Sequence, residues 1–309
     1  MTKIKIGSLF SGVCGLELEL LKNKKYELAY VADPDRYCSQ VLAYIHPNIP
    51  NLGSVTKLDP KEIPYADIIM AGTSCQNFSY QGDKKGLEGL KSKLFYDFAK
   101  IILYKKPKYV IWENVVGAAT HKDFKIVKEI FQEIGYEIDY EIFNAREFAG
   151  TIQQRRRIIL IATRKDIEQI RLDRTIPCIE LSAEMCDIQK RLVGVSKSHR
   201  KGKEDEKGKE IAPPRIEVRL NKGIANTLVT GWGCAGVSTK NYIQKDDGTL
   251  REININEAEA LMTWPNNHTA FGMLDNKIVE IPMAQRYKMC GNGVVSELIK
   301  NLFKNIQFK

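Results

Sequence analysis

The sequence has no C-x-x-C pair, no apolar run approaching the roughly 18 to 20 residues of a membrane helix, and no G-x-x-x-x-G-K-[ST] phosphate loop. Its seven cysteines are odd in number and scattered, and its four histidines are isolated, so neither a disulfide framework nor a structural metal is indicated. Membrane spanning and disorder are disfavoured, since 43% hydrophobic and 28% charged residues is the composition of an ordinary globular chain. The amino-terminal MTKIKIGSLF is too short and too soon interrupted to act as a signal peptide. A cytoplasmic protein without metal is expected.

What the sequence does have is positive charge. Forty-seven Lys and Arg against 38 Asp and Glu leave +9 over 309 residues, which favours a polyanionic partner, although surplus lysine also suits a plain solvated surface. Eleven Lys or Arg and five Asp or Glu fall between Lys190 and Lys222, around KSHRKGKEDEKGKE. That stretch shows no convincing periodicity and reads as a solvated loop or a nucleic-acid contact.

The first 165 residues alternate β-rich runs with helical patterns, the signature of a doubly wound α/β domain with a parallel sheet covered on both faces. Strands are expected at Ile4–Phe10, Leu28–Ala32, Ile68–Ala71, Tyr109–Trp112 and Ile158–Ala162. Helices are expected within Leu16–Leu21, Leu94–Tyr104 and Phe124–Ile134, and helical patterning returns in NINEAEALMTW and VVSELIKNLF.

Ligands of such sheets sit beyond the carboxyl ends of the strands, so the residues following each strand are the candidates. Phe10-Ser11-Gly12-Val13-Cys14-Gly15 is a small-residue turn that lets a ligand approach the backbone, or simply permits a tight turn. Asp33 stands where an acid commonly accepts ribose hydroxyls, and a helix cap is its plainer use. Cys75, in the polar loop after the third strand, can be an activated nucleophile. Glu113 emerges from a very apolar strand, where desolvation can raise its pKa into the range of proton sharing, though a structural salt bridge is the commoner case. In QQRRR, strand alternation points Arg155 and Arg157 to one face and Arg156 to the other.

In this order and at these distances, the segments FSGVCG, AGTSCQNFSYQG, WENV, QQRRR and QRYKMCGNGV resemble the C5-cytosine DNA methyltransferases of bacteria and phage. The resemblance runs from Ile4 to about Thr163 and resumes from about Arg219 to Ser296. It implies a Rossmann-like catalytic domain of residues 1–165 plus 280–309 and a smaller target-recognition domain of residues 166–279. It also implies methyl transfer from S-adenosylmethionine to carbon 5 of a cytosine flipped out of double-stranded DNA, with Cys75 adding to carbon 6. Glu113, Asn114, Arg155 and Arg157 are then catalytic, with Glu113 at the ring N3 and amine and the two arginines at the O2 side. Phe10, Gly12, Val13, Gly15, Asp33, Leu94 and Asn292 hold the cofactor. Gln76, Ser79, Thr227, Arg200 and Lys201 face DNA.

Three positions depart from the family pattern. Ser74 replaces a proline before the nucleophile, Cys14 replaces a glycine, and Ser54 replaces an aspartate that binds the adenine amino group, which implies weakened cofactor binding. A transfer-RNA substrate is the nearest alternative, but the Cys-Phe-Thr segment of that branch is missing. A silent DNA-binding paralogue is the other, and it leaves Cys75, Glu113 and Arg157 without a purpose. A lean monomer is expected, solitary or restriction-linked.

Overall fold

The computed structural model describes residues 2–73, 92–120, 124–200, 203–204, 210–212, 215–230 and 239–308. Strands β1 (Ile4–Leu9), β2 (Tyr26–Tyr30), β3 (Ile68–Gly72), β4 (Tyr109–Val115) and β5 (Tyr136–Asn144), then a two-residue β6 (Gln153–Gln154) and β7 (Arg156–Arg164), span the amino-terminal half. All but β6 form one sheet in the order β2-β1-β3-β4-β7-β5. The chain leaves β1 toward β2 and returns to its other side as β3, so the order reverses at β1, the crevice where such sheets place ligands.

Side-chain alternation builds two apolar layers, one on each face. Ile68, Met70, Tyr109, Ile111, Ile159 and Ile161 enter one core; Ile69, Ala71, Val110, Trp112, Ile158 and Leu160 enter the other. Both faces are covered by helices, named α1 (Leu18–Leu21), α2 (Arg36–Ile45), α3 (Ser92–Lys105), α4 (Val116–Thr120), α5 (Phe124–Glu133) and α6 (Ala145–Phe148). None of the helices in the described residues is long and apolar enough to cross a membrane.

One feature corrects the expectation of a parallel sheet. Strand β7 runs antiparallel to both β4 and β5. The segment between β5 and β7 is too short for a crossover helix of the usual size, so the chain turns back instead. Strand β5, an edge strand paired on one side only, was passed over although Tyr136, Ile138, Tyr140 and Ile142 alternate with Glu137, Asp139 and Glu141, the pattern of a half-buried strand.

The basic stretch is also more regular than its sequence suggests. After α7 (Ala183–Arg191), strand β8 (Leu192–Arg200) precedes the short β9 (Lys203–Glu204) and β10 (Glu210–Ala212), and β11 (Arg215–Lys222) returns along β8. Their antiparallel register is unbroken from Val193 opposite Lys222 to Arg200 opposite Arg215. Strands β12 (Ala225–Asn226), β13 (Thr239–Gln244) and β14 (Leu250–Glu252) follow, giving a second sheet ordered β11-β8-β13-β14. The pair β12–β6 ties this sheet to the large one. The pairing joins two segments separated along the chain, and the alternation of Ile216, Val218 and Leu220 with charged residues in β11 is the local signal that goes with it.

Helix α8 (Ile255–Leu261) opens with a capping box between Asn254 and Glu257, and Ala258, Leu261, Met262 and Trp264 join the core shared with Val13 and Leu16. The hairpin β15 (Phe271–Leu274) and β16 (Lys277–Glu280) lies on α2, with Phe271 and Tyr44 rings 5.8 Å apart. Helices α9 (Met283–Asn292) and α10 (Ser296–Leu302) complete the layer, the latter through Leu298, Ile299 and Leu302.

Candidate functional site

A cavity of about 470 Å³ opens at the carboxyl ends of β1, β3 and β4. The turn after β1 forms its floor, Asp33 and Asp35 one side, Glu113 and Arg157 another, and the segment from Lys288 to Val294 closes it from the far end of the sequence.

The turn is coiled tightly, because Phe10, Gly12 and Cys14 all have φ near +55°. At Gly12 nothing lies within 4 Å of where a Cβ would sit. Cys14, standing at a family glycine, takes the left-handed conformation at a cost of about 1–2 kcal/mol and is fully buried. Gly15 and Gly293 converge on Trp264: a Cβ would come within 2.9 Å and 2.4 Å of its indole. The Trp264 Nε1–H donates to the Val294 carbonyl at 3.0 Å, so one ring fastens the turn to the carboxyl-terminal segment.

Asp33 accepts backbone N–H groups on both oxygens, from Gly12 at 2.9 Å and from Asp35 at 2.8 Å. Burial raises its carboxyl above the usual range, and those two N–H groups oppose the rise. Asp35 caps α2 by accepting from the N–H groups of Tyr37 and Cys38, while its other oxygen receives the Lys288 ammonium at 2.8 Å. Burial pushes Asp35 up, but Lys288 and the cap outweigh it and hold the carboxyl below its ordinary value. A lowered carboxyl adds stability at neutral pH that is lost as pH falls through its folded value. Asp35→Ala is therefore expected to lower unfolding free energy by about 1–2 kcal/mol at pH 7, with the deficit shrinking under acid; thermal melts across pH check both.

At the end of β3, Thr73 Oγ1 accepts from Trp112 Nε1 (2.9 Å) and from Asn114 Nδ2 (3.0 Å). The Asn114 Oδ1 accepts the Val115 N–H at 2.8 Å. Asn114 thus holds the root of the segment that leads to Cys75, and it also lines the cavity.

Glu113 is 7% exposed and forms an ion pair with Arg157 Nε at 2.9 Å. Burial raises its carboxyl, and Arg157, then Arg155, pull it back. The antiparallel course of β7 makes this pair, since it places Arg157 opposite Val115 at the carboxyl end of β4.

Arg155 is placed differently from Arg157. It was expected at the base with Arg157, yet it is 1% exposed and does not line the cavity. Its guanidinium donates to the carbonyls of Leu228 (2.8 Å), Gly291 (3.0 Å) and Gly293 (2.6 Å). Strand alternation does not reach Arg155, which lies between β6 and β7, and the returning chain covers it.

Phe10, Gly12, Val13, Gly15, Asp33, Leu94 and Asn292 all line the cavity, as does Ser54, whose hydroxyl lies 3.0 Å from that of Thr56. Thr227 sits outside it and donates its hydroxyl to the Gln154 carbonyl at 2.5 Å. Arg200 ends β8, and its side chain is outside the described residues. Ser74, Cys75, Gln76, Ser79 and Lys201 also lie outside them. Sequence reasoning passed over Glu17, Thr73, Trp264 and Lys288. The signal for Glu17 was a charged residue beginning an apolar helical run, and for Lys288 its place within QRYKMCGNGV.

The family described as C-5 cytosine-specific DNA methylase matches residues 4–308. The type II methyltransferase M.HhaI of Haemophilus parahaemolyticus is 27% identical over 334 residues, covering 99% of this chain and 95% of that protein. The orphan methyltransferase M.SPRI of Bacillus phage SPR is 34% identical over 174 residues, covering 54% of this chain, which spans only 39% of that relative's length. In fold, the chain superposes on the Dnmt2 methyltransferase of S. pombe with a TM-score of 0.71 at 16% identity, covering 99% of this chain and 100% of that one. With the family match running from the first strand to the last described residue, this chain belongs to the C-5 cytosine-specific DNA methylase family.

Proposed function

We propose that the chain transfers a methyl group from S-adenosylmethionine to carbon 5 of a cytosine in a specific sequence of double-stranded DNA, through a covalent bond from Cys75 to carbon 6. The observation that carries this reading is the Glu113–Arg157 pair, a desolvated carboxyl and a guanidinium on the wall of the same cavity that holds Asp33 and the Gly12 turn.

The cavity suits such a cofactor. Its volume lies in the range of small-molecule sites, and Gly12 leaves its backbone open to close approach. Asp33 faces it with a carboxylate already oriented by two backbone N–H groups, ready to accept ribose hydroxyls. S-adenosylmethionine bound there supplies an electrophilic methyl group, which carbon 5 accepts.

Carbon 5 of cytosine is a poor nucleophile until a thiolate adds to carbon 6 and sends the electron pair of the double bond to carbon 5. Glu113, its pKa raised by burial, shares a proton with the ring N3 and accepts from the exocyclic amine as that charge develops. Arg157 orients Glu113 and takes the O2 side. Thr73, held by Trp112 and Asn114, anchors the segment leading to Cys75. Loss of the carbon 5 proton and expulsion of the thiolate then release the product.

The second sheet, with the basic strands β8 and β11, is the DNA-facing part, its lysines and arginines meeting phosphates. The protein acts as a monomer in the cytoplasm.

Labelled S-adenosylmethionine with DNA of varied sequence tests the activity, and DNA containing 5-fluorocytosine tests the mechanism. A covalent adduct that disappears in Cys75→Ala is expected. Absence of DNA labelling, with transfer to tRNA instead, overturns the substrate.

A further inference from the structure

Glu17 is a carboxylate that the reading above leaves without a task. It is 1% exposed, yet it lines the cavity beneath the turn. Its Oε1 accepts the Ser8 hydroxyl at 2.6 Å, whereas Oε2 is buried with no hydrogen-bond partner among the described residues. A buried carboxylate oxygen without a donor is costly, and one on a cavity wall can find its donor in the ligand.

The surroundings define that donor. Ser8 on β1 and the Cys14 thiol on the turn are the side chains that hydrogen-bond this carboxyl, the thiol only as a weak donor, and neither is a cation. His268 also reaches the turn, but its Nε2 lies 2.9 Å from the Val13 carbonyl and burial lowers its pKa. Lys288, the cation on the cavity wall nearest Asp33, pairs with Asp35. A carboxylate in this position calls for a ligand group that is both positively charged and rich in N–H donors. In S-adenosylmethionine the ribose hydroxyls and adenine amine are neutral, and the sulfonium has no hydrogen to donate. The α-ammonium has both properties.

We propose that Glu17 is a cofactor-binding residue whose Oε2 receives the α-ammonium of the methionine portion of S-adenosylmethionine; the assignment rests on the cavity being the S-adenosylmethionine site. Without ligand, burial pushes the Glu17 carboxyl up to about 7, so the empty site is partly protonated at neutral pH. The ammonium favours the carboxylate, so binding expels the proton, and affinity climbs with pH through about 7 before levelling.

Calorimetry with S-adenosylhomocysteine, and with its analogue carrying hydrogen in place of the α-amino group, tests this. Glu17→Gln is expected to weaken S-adenosylhomocysteine about ten- to a hundredfold, the worth of one charge-assisted hydrogen bond, and to leave the deamino analogue unchanged. Wild type releases protons on binding S-adenosylhomocysteine at pH 7 and does not on binding the analogue, a measurement independent of whether the variant folds. The melting temperature of ligand-free Glu17→Gln relative to wild type shifts in the variant's favour from pH 5 to pH 8, because wild type alone acquires a buried charge. Equal affinity of variant and wild type for S-adenosylhomocysteine, or equal weakening of both ligands, overturns the assignment while leaving the cofactor reading intact. If wild type binds neither compound, both fall together.

Discussion

Glu113→Gln is expected to slow methyl transfer by about 10²- to 10⁴-fold while cofactor affinity changes only a few-fold. The substitution keeps the shape of the side chain and an oxygen for Arg157, and removes the carboxyl that shares a proton with the base. Glu113→Ala is expected to be as slow and also less stable, by about 3 kcal/mol, because Arg157, with its side chain 11% exposed, is left without its carboxylate. Single-turnover kinetics with saturating cofactor, together with denaturant melts, separate the two effects. Near-normal transfer by Glu113→Gln defeats the assignment. Since burial raises the Glu113 carboxyl in the folded state, the folded protein holds that proton longer than the unfolded chain does. Its contribution to stability is therefore greatest at acid pH and is lost as pH rises through the folded value.

The second large effect belongs to Arg155. Arg155→Met is expected to cost about 3–5 kcal/mol, on the order of 10 °C in melting temperature, before any effect on chemistry is counted. Removing the guanidinium strips donors from the carbonyls of Leu228, Gly291 and Gly293, which come from two distant parts of the chain. Those segments already touch closely: a Cβ at Gly291 would lie 2.5 Å from the Thr230 nitrogen, so no nearer approach can compensate. Cofactor binding is expected to weaken in parallel, since Gly291, Asn292 and Gly293 line the cavity. A variant with wild-type melting temperature and a defect confined to catalysis places Arg155 back at the base, against this account.

Much of this protein was legible without coordinates. The strands at Ile4, Ile68 and Tyr109, the helices at Leu94 and Phe124, and the placement of Phe10, Asp33 and Glu113 follow from local periodicity and from what stands after each strand; Leu94 came to the cavity through the family resemblance alone. The ladder between β8 and β11 within Lys190–Lys222 was not, because which two segments pair is a long-range matter that no window of neighbouring residues carries, even though Ile216, Val218 and Leu220 alternate with Arg215, Glu217 and Arg219. Likewise Glu17 reads as an ordinary helix-start acid; its missing partner is a property of its surroundings.

By itself, the sequence determined the alternating α/β order, the chemistry-bearing residues at the strand ends and the family they resemble, because each is encoded within a few neighbouring residues. Only the tertiary structure decided which of them meet. A parallel β7 sends Arg157 to the wrong end of the sheet; the antiparallel one brings it to Glu113. Arg155, two residues away and just ahead of β7, is covered by the returning carboxyl-terminal segment and becomes a brace for Gly291 and Gly293. Strand direction and what lies across a face depend on contacts between residues far apart in the chain, and no local pattern carries them.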